Sequence, residues 1–389
     1  MMRSHKTVSG PVIIGIILLA AAGFLSAAAR SVPGFAQAYS CTVYPVLQGS
    51  IGRIAGLLPF SAAEVLCILL PVFLVFDIIR MIWHKSGKNV VFRRFGSHLF
   101  LVIAVLLFMY QANCGVNYYR EPFVDRAAFE AARFTEDDLT GFCELAVREL
   151  QQSSAYYNKG ADNEGADSDT AGDASPGLLQ DQDIYPDKRE LAQEAVHAME
   201  NLSSASAPSF NDYSSLSGFY PQPKYLTFMS PLFSGMGVSG IYSPFTIEAN
   251  VNGEMTGLEK PFTSCHELSH LKGFMNEGEA NYIGWLACIG SDDPAFNRSG
   301  WLIAWTYAGN SLYRIDPERY SELRKKLPDD VIRELDDNRE FWETHETRAS
   351  EVQDRVNDAY LKSNGLKDGV QSYGQLTTLM LMWYTESNV

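Results

Sequence analysis

His266, Glu267 and His270 stand in the order His-Glu-x-x-His, and these residue types at this spacing suit one chemistry. On a helix, positions four apart lie on one face, one turn above each other. The two imidazoles can then offer nitrogens to the same ion. Glu267 follows the first histidine, so its carboxylate can reach a water held by that ion. A catalytic zinc takes three protein ligands and leaves one position open. It lowers the water's pKa toward neutrality, and a nearby carboxylate takes the proton. The pattern therefore predicts one catalytic Zn2+ and hydrolysis of peptide bonds, with Glu267 as general base. The chain has only seven histidines, which makes a chance match at this spacing less frequent.

The third ligand is expected downstream. Gly273 can end the first helix in a left-handed conformation, and Asn276 is a good N-cap for a second helix. Two acids compete there, Glu277 and Glu279. Two helical positions are about 200° apart, so only one of them can face the histidines. Glu277 is preferred as the metal ligand, with Glu279 as a surface or cleft acid. Asn281 shares the face of Glu277, four residues on, and is the candidate to hold a ligating histidine from behind. Charge also develops on the carbonyl oxygen during hydrolysis and needs a donor.

The pairing resembles the gluzincin metallopeptidases, in which the third ligand sits in a helix of the form N-E-x-x-[SA]-[DN]. Asn276-Glu277-Gly278-Glu279-Ala280-Asn281 matches that form position by position. The link differs: only six residues separate His270 from Glu277, which implies a tight helical hairpin. The metzincin pattern would place a third histidine where this chain has Asn276. The resemblance implies a zincin-like α+β domain with a strand lining the cleft shortly before the first metal helix. Phe245 to Val251 is the candidate for that edge, to which a substrate backbone could add.

The elements that must carry this site follow a division of charge. Residues 1–115 hold nine Lys/Arg and two Asp/Glu, a balance of +7; the remainder holds 22 and 44, a balance of −22, and the two sum to −15. The acidic part excludes a polybasic nucleic-acid surface, while the basic part suits a membrane anchor. Three apolar segments, about 11–29, 59–83 and 97–114, are expected to cross a lipid bilayer. Ser61 and Glu64 form a capping box at the start of the second. Asp77 and Arg80, three apart, are expected to pair near its other end. Residues 31–58 are expected to be a loop. Basic residues concentrate before the first span and between the second and third, which places those segments in the cytoplasm. Residues 116–389 would then form an extracytoplasmic domain.

Within that domain, helical periodicity runs over 126–152. Composition then turns rich in Gly, Ala, Ser, Asp and Asn over 153–183, which predicts a disordered insertion. A further helix is expected over 187–203, a buried aromatic-rich one over 296–313, and a long charged one over 328–361. The fold class is therefore mostly α: N-terminal transmembrane helices followed by an α+β domain. Six cysteines lack metal-ligand spacing. Cys265 and Cys288 flank the two metal helices, either as packed thiols or as a disulfide.

Further segments resemble a bacterial membrane family known as domain of unknown function 3810. They are Pro59-Phe60-Ser61 with Glu64, Gly115 to Arg120, Pro244-Phe245-Thr246, Glu248 to Asn252, Cys265 to His270, Glu277 to Asn281 and Ser372-Tyr373-Gly374. Tyr373, in the family-like Ser-Tyr-Gly, is the first candidate for the electrophilic donor, with Tyr242 behind it. The resulting expectation is a membrane-anchored zinc endopeptidase acting on a protein or peptide substrate. Two alternatives stand beside it: a zinc amide hydrolase acting on cell-wall peptides, and a non-catalytic metal-containing sensor or binding protein. Glu267 argues against the latter, because a structural site needs no general base.

Overall fold

Uncharged apolar runs of about 20 residues match the thickness of a bilayer core. Three of them form helices α1 (Gly10–Ser31), α2 (Ala62–Trp83) and α3 (Lys88–Tyr110). The computed structural model describes residues 9–83, 88–164, 188–364 and 375–387. All three helices are long and apolar enough to cross a membrane, the third within a helical stretch Val90–Tyr119. It starts earlier and ends later than the expected 97–114. Ile14, Ile17, Phe24, Phe73 and Phe76 stay exposed on α1 and α2, as side chains facing lipid would. At Gly15, a Cβ would sit 2.5 Å from the Phe100 ring. The glycine lets α1 approach α3 closely, as small residues do in membranes. The Ser9 and Ser97 hydroxyls meet at 3.2 Å beside this contact, so α1 and α3 run parallel.

The chain divides by contact into two units, residues 1–121 with 243–248, and residues 122–242 with 249–389. In the first unit, the segment expected to be a loop is helical, with turns at Phe35–Thr42, Tyr44–Leu47, Gln48–Gly52 and Arg53–Gly56. One side of it is buried, while Val46, Ile54 and Leu57 stay exposed. Tyr44 is 1% exposed, Tyr39 donates to the Ala112 carbonyl at 2.9 Å, and Ser40 donates to Asn117 Oδ1 at 2.8 Å.

The start of α2 is capped twice. Ser61 Oγ accepts the Glu64 amide at 3.0 Å. The Glu248 carboxylate accepts the amides of Ala62 and Ala63 at 3.0 and 2.9 Å. A helix start leaves such amides without intrahelical partners, and a carboxylate there also favours the helix dipole. Asn113 donates to the Pro244 carbonyl at 2.6 Å. These contacts bring residues 243–248 into the membrane unit, hundreds of positions away in sequence from the spans they hold. The expected Asp77–Arg80 pair does not form. Asp77 instead pairs with His98 of α3 at 2.6 Å.

The second unit is mostly helical with a small sheet. Its main elements are α4 (Glu136–Glu164), α5 (Lys188–Ser204), α6 (Glu259–Leu271), α7 (Glu277–Ile289), α8 (Pro294–Ile315), α9 (Asp329–His345), α10 (Arg348–Ser363) and α11 (Gln375–Glu386). The helix expected over 126–152 is split. Arg126–Ala131 ends before α4, where Thr135 and Asp138 form a reciprocal cap. α4 then runs through Glu164, past the composition break at Ser153; residues 165–183 of the expected insertion lie outside the described residues. The long charged helix likewise breaks at Glu346 into α9 and α10.

Strands β1 (Lys224–Tyr225), β2 (Gly240–Ser243) and β3 (Glu248–Val251) form a sheet in the order β1-β3-β2. β1 pairs with β3 in parallel, Lys224 opposite Asn250. β3 is thus the central strand, buried at every position. The expected edge over Phe245–Val251 is corrected: β3 lies between β1 and β2, which are the two edges of the sheet.

The core lies behind α7. Trp285, fully buried, meets Phe142 of α4, Trp301 of α8 and Trp383 of α11 at centroid distances of 6.1, 6.3 and 5.2 Å. Arg298 on α8 is also fully buried and pairs with Asp330 at 2.8 Å and Glu334 at 2.7 Å on α9. Ser153 and Ser154 of α4 accept its remaining protons. A buried guanidinium needs such partners to offset its desolvation, and these tie α4, α8 and α9 together.

Candidate metal centre

The two histidines sit one turn apart on α6, their rings at right angles with centroids 4.7 Å apart. α6 ends as its sequence directs. Gly273 takes φ +89°, its amide bonds to the His270 carbonyl at 2.8 Å, and the Phe274 amide bonds to the Ser269 carbonyl at 3.2 Å. This is the paired C-terminal closure that a left-handed glycine permits. Asn276 then caps α7 by accepting the Glu279 amide at 3.1 Å. The six-residue link is a tight helical hairpin, and it turns Glu277 back onto the histidines.

Glu277 Oε2 lies 3.4 Å from His266 Nε2 and 3.7 Å from His270 Nε2. These three side chains form one group able to hold a metal ion, with all ligand atoms within 4.8 Å of one another. The distances discriminate between two uses. A hydrogen bond from imidazole to carboxylate would draw the atoms to about 2.7–2.9 Å. Two ligands about 2.1 Å from one tetrahedral ion stand about 3.4 Å apart. The observed separations fit shared coordination.

The surroundings are arranged for the same use. His270 Nδ1 donates to the Phe274 carbonyl at 2.7 Å, which turns Nε2 toward Glu277. Glu267 is 3% exposed, and its Oε2 has no hydrogen-bond partner; nor has His266 Nδ1. A buried carboxylate oxygen left open beside two imidazoles is a polar group awaiting a ligand or water. The backbone of β2 closes over it: a Cβ on Gly240 would sit 2.5 Å from Glu267 Oε1. Gly284, two turns beyond Glu277 on α7, lies against His266 so closely that a Cβ there would come within 3.0 Å of its amide nitrogen. That glycine sets the helix separation across which Glu277 reaches.

Burial pushes Glu267 up to about 7, although the two histidines oppose the shift. Burial works against a charge on His270 as well, but the Glu277 carboxylate and then Glu267 raise it to about 9. Burial also opposes the charge on Glu277, yet His270 and His266 hold it well below the usual carboxylate range. The site without metal therefore stores protons on His270 and, near neutrality, on Glu267.

The other expected residues are dispersed. Glu279 faces away and accepts the Phe123 amide at 2.6 Å. Asn281 is buried on α7, but its Nδ2 has no hydrogen-bond partner, and the partner seen on His270 is the Phe274 carbonyl. Tyr242 is buried in β2. Tyr373 lies outside the described residues. Cys265 and Cys288 are both free and fully buried. Gly240, Gly284 and the Phe274 carbonyl were not anticipated, because a close approach and a backbone acceptor leave no residue-type signature. Tyr307 of α8 is a further neighbour: burial, then the charges of Glu259 and Glu277, push its phenol up to about 12.

The chain is thus a mostly helical protein with three candidate membrane spans and a group of two histidines and a glutamate able to hold a metal. It belongs to the family described as Protein of unknown function (DUF3810), whose model matches residues 39–381. No curated protein and no solved structure matches it.

Proposed function

We propose that this protein is a membrane-anchored zinc metallopeptidase of gluzincin type. The observation that carries the reading is the convergence of Glu277 Oε2 on both Nε2 atoms, 3.4 and 3.7 Å away, close to the spacing of two ligands on one tetrahedral ion. Two nitrogens and a carboxylate oxygen are the donor set that a catalytic zinc uses with one position left open. Zinc held by His266, His270 and Glu277 supplies Lewis-acid activation of water and of the scissile carbonyl.

The remaining steps belong to the chain. Glu267 takes a proton from the attacking water and returns it to the leaving amine. A carboxylate placed beside the metal-bound water can do both. The Phe274 carbonyl fixes the His270 ring. β2, an edge strand with Ile241 exposed, is where an extended peptide would add. The substrate is a protein or peptide. The positive-inside bias of the basic residues favours a catalytic unit outside the cytoplasm, where secreted and membrane proteins would be its substrates.

The test is metal analysis of the full-length protein purified without chelator. The proposal requires one zinc per chain, lost on His266→Ala or His270→Ala. A wild-type protein that binds no zinc under conditions where it is folded would refute it.

A further inference from the structure

A second site lies in the membrane unit. Its cavity, about 520 Å³, opens where the start of α1, the end of α2 and the start of α3 come together. Arg80, Arg93 and Arg94 line it, and among the described residues none of the three forms an ion pair. The acid nearest to hand is already engaged: Asp77 accepts His98 Nδ1 at 2.6 Å. Three guanidinium charges therefore share one concavity with a single carboxylate, Asp77, which His98, also in the lining, already engages. Ser9 and Ser97, 3.2 Å apart, bring two hydroxyls to the same wall. Pro11, Met81 and Val90 supply apolar lining.

Arginines without ion-pair partners in one concavity recognise an oxyanion, since the guanidinium fork matches a phosphate in two-point contact. The position decides which phosphate. The cavity opens at the ends of helices whose outer faces are apolar and exposed, the level at which headgroups lie. Basic pockets between span ends take phospholipid headgroups. We propose that this cavity binds the phosphodiester headgroup of an anionic phospholipid. Its acyl chains run along the exposed apolar side chains of α1 and α2. The site is independent of the metal centre and of its proposed activity.

Full-length protein in neutral detergent, titrated with phosphatidylglycerol or phosphatidylcholine and read by native mass spectrometry, tests this. Wild type should retain one phosphatidylglycerol per chain with a preference over phosphatidylcholine on the order of tenfold. R93Q/R94Q should lose that preference. Removing those charges can also disturb insertion, so R80K/R93K/R94K serves as the second variant. It keeps the charge, loses the forks, and should lose several-fold in retention. Equal retention of the two lipids by wild type, or an unchanged preference in both variants, overturns the proposal. Displacement of the lipid by excess inorganic phosphate would assign the cavity to free phosphate and overturn the lipid reading.

Discussion

His270 donates its Nδ1 proton to the carbonyl of Phe274 across 2.7 Å, and the turn that makes this bond is the turn that ends α6. Gly273 stands at φ +89° between the two residues. The geometry that stops the helix thereby also orients the imidazole and turns Nε2 toward Glu277. Helix termination and ligand orientation are one feature of this chain.

Gly273→Ala separates that feature from the ligands themselves. A left-handed alanine costs about 1 kcal/mol, so the midpoint of thermal unfolding should fall. The loosened Phe274 carbonyl should also weaken zinc on the order of tenfold, as loss of such supporting contacts does. Competition with a chromogenic chelator reads the affinity. A destabilised variant with wild-type zinc affinity would show that the carbonyl does not orient His270.

Glu277 and Glu279 differ by two positions and face different partners. Glu277→Gln should abolish stoichiometric zinc. Glu279→Gln should keep it, while weakening the bond to the Phe123 amide and costing about 1 kcal/mol of stability. Metal analysis and urea unfolding of the two variants decide the point. Zinc lost only from Glu279→Gln would exclude Glu277 as the ligand.

Gly240 is close to Glu267 rather than to the ligands. An alanine there would drive its Cβ to within 2.5 Å of Glu267 Oε1 and displace the carboxylate. Gly240→Ala should retain zinc and lose hydrolysis by at least about tenfold, within the range that a misplaced general base costs. Retained zinc with unchanged kcat would show that Glu267 has room to move.

Much of this site was legible in the chain, for identifiable reasons. His-Glu-x-x-His, the glycine at 273 and the cap at 276 are local features, and local spacing fixes their geometry. Helical rotation allowed only one of Glu277 and Glu279 to face the histidines, and the placing of Asn281 with the match to the gluzincin helix form favoured Glu277. What was not legible depends on distant partners. Nothing near Glu248 announces that it caps α2 from the other end of the sequence, or that β3 is central. Asp77 was matched to Arg80 because the two are three apart, yet the third span brings His98 closer. Residues 31–58 read as loop because they lack periodicity, yet Tyr39 and Ser40 anchor them as helical turns to Ala112 and Asn117.

Zinc binding should release protons. His270 stands near 9 in the metal-free chain, and a ligating imidazole must be neutral. Below pH 9 each ion bound must therefore expel the His270 proton. Affinity should rise about tenfold per pH unit between pH 6 and 8 and flatten as pH passes 9. Calorimetry at pH 7 in two buffers of different ionisation enthalpy should report at least about one proton released. Release of none would mean that His270 is already neutral beside Glu277.

Glu267 gives the most direct test of the peptidase assignment. Zinc-loaded wild-type protein and Glu267→Gln are incubated with a mixed peptide library, and new termini are counted by mass spectrometry. Wild type should cleave. The variant should carry the same one zinc per chain and lose at least about a hundredfold in rate, because the attacking water has lost its proton acceptor. Equal cleavage by the two zinc-loaded proteins, or none by wild type over the whole library, would contradict the mechanism.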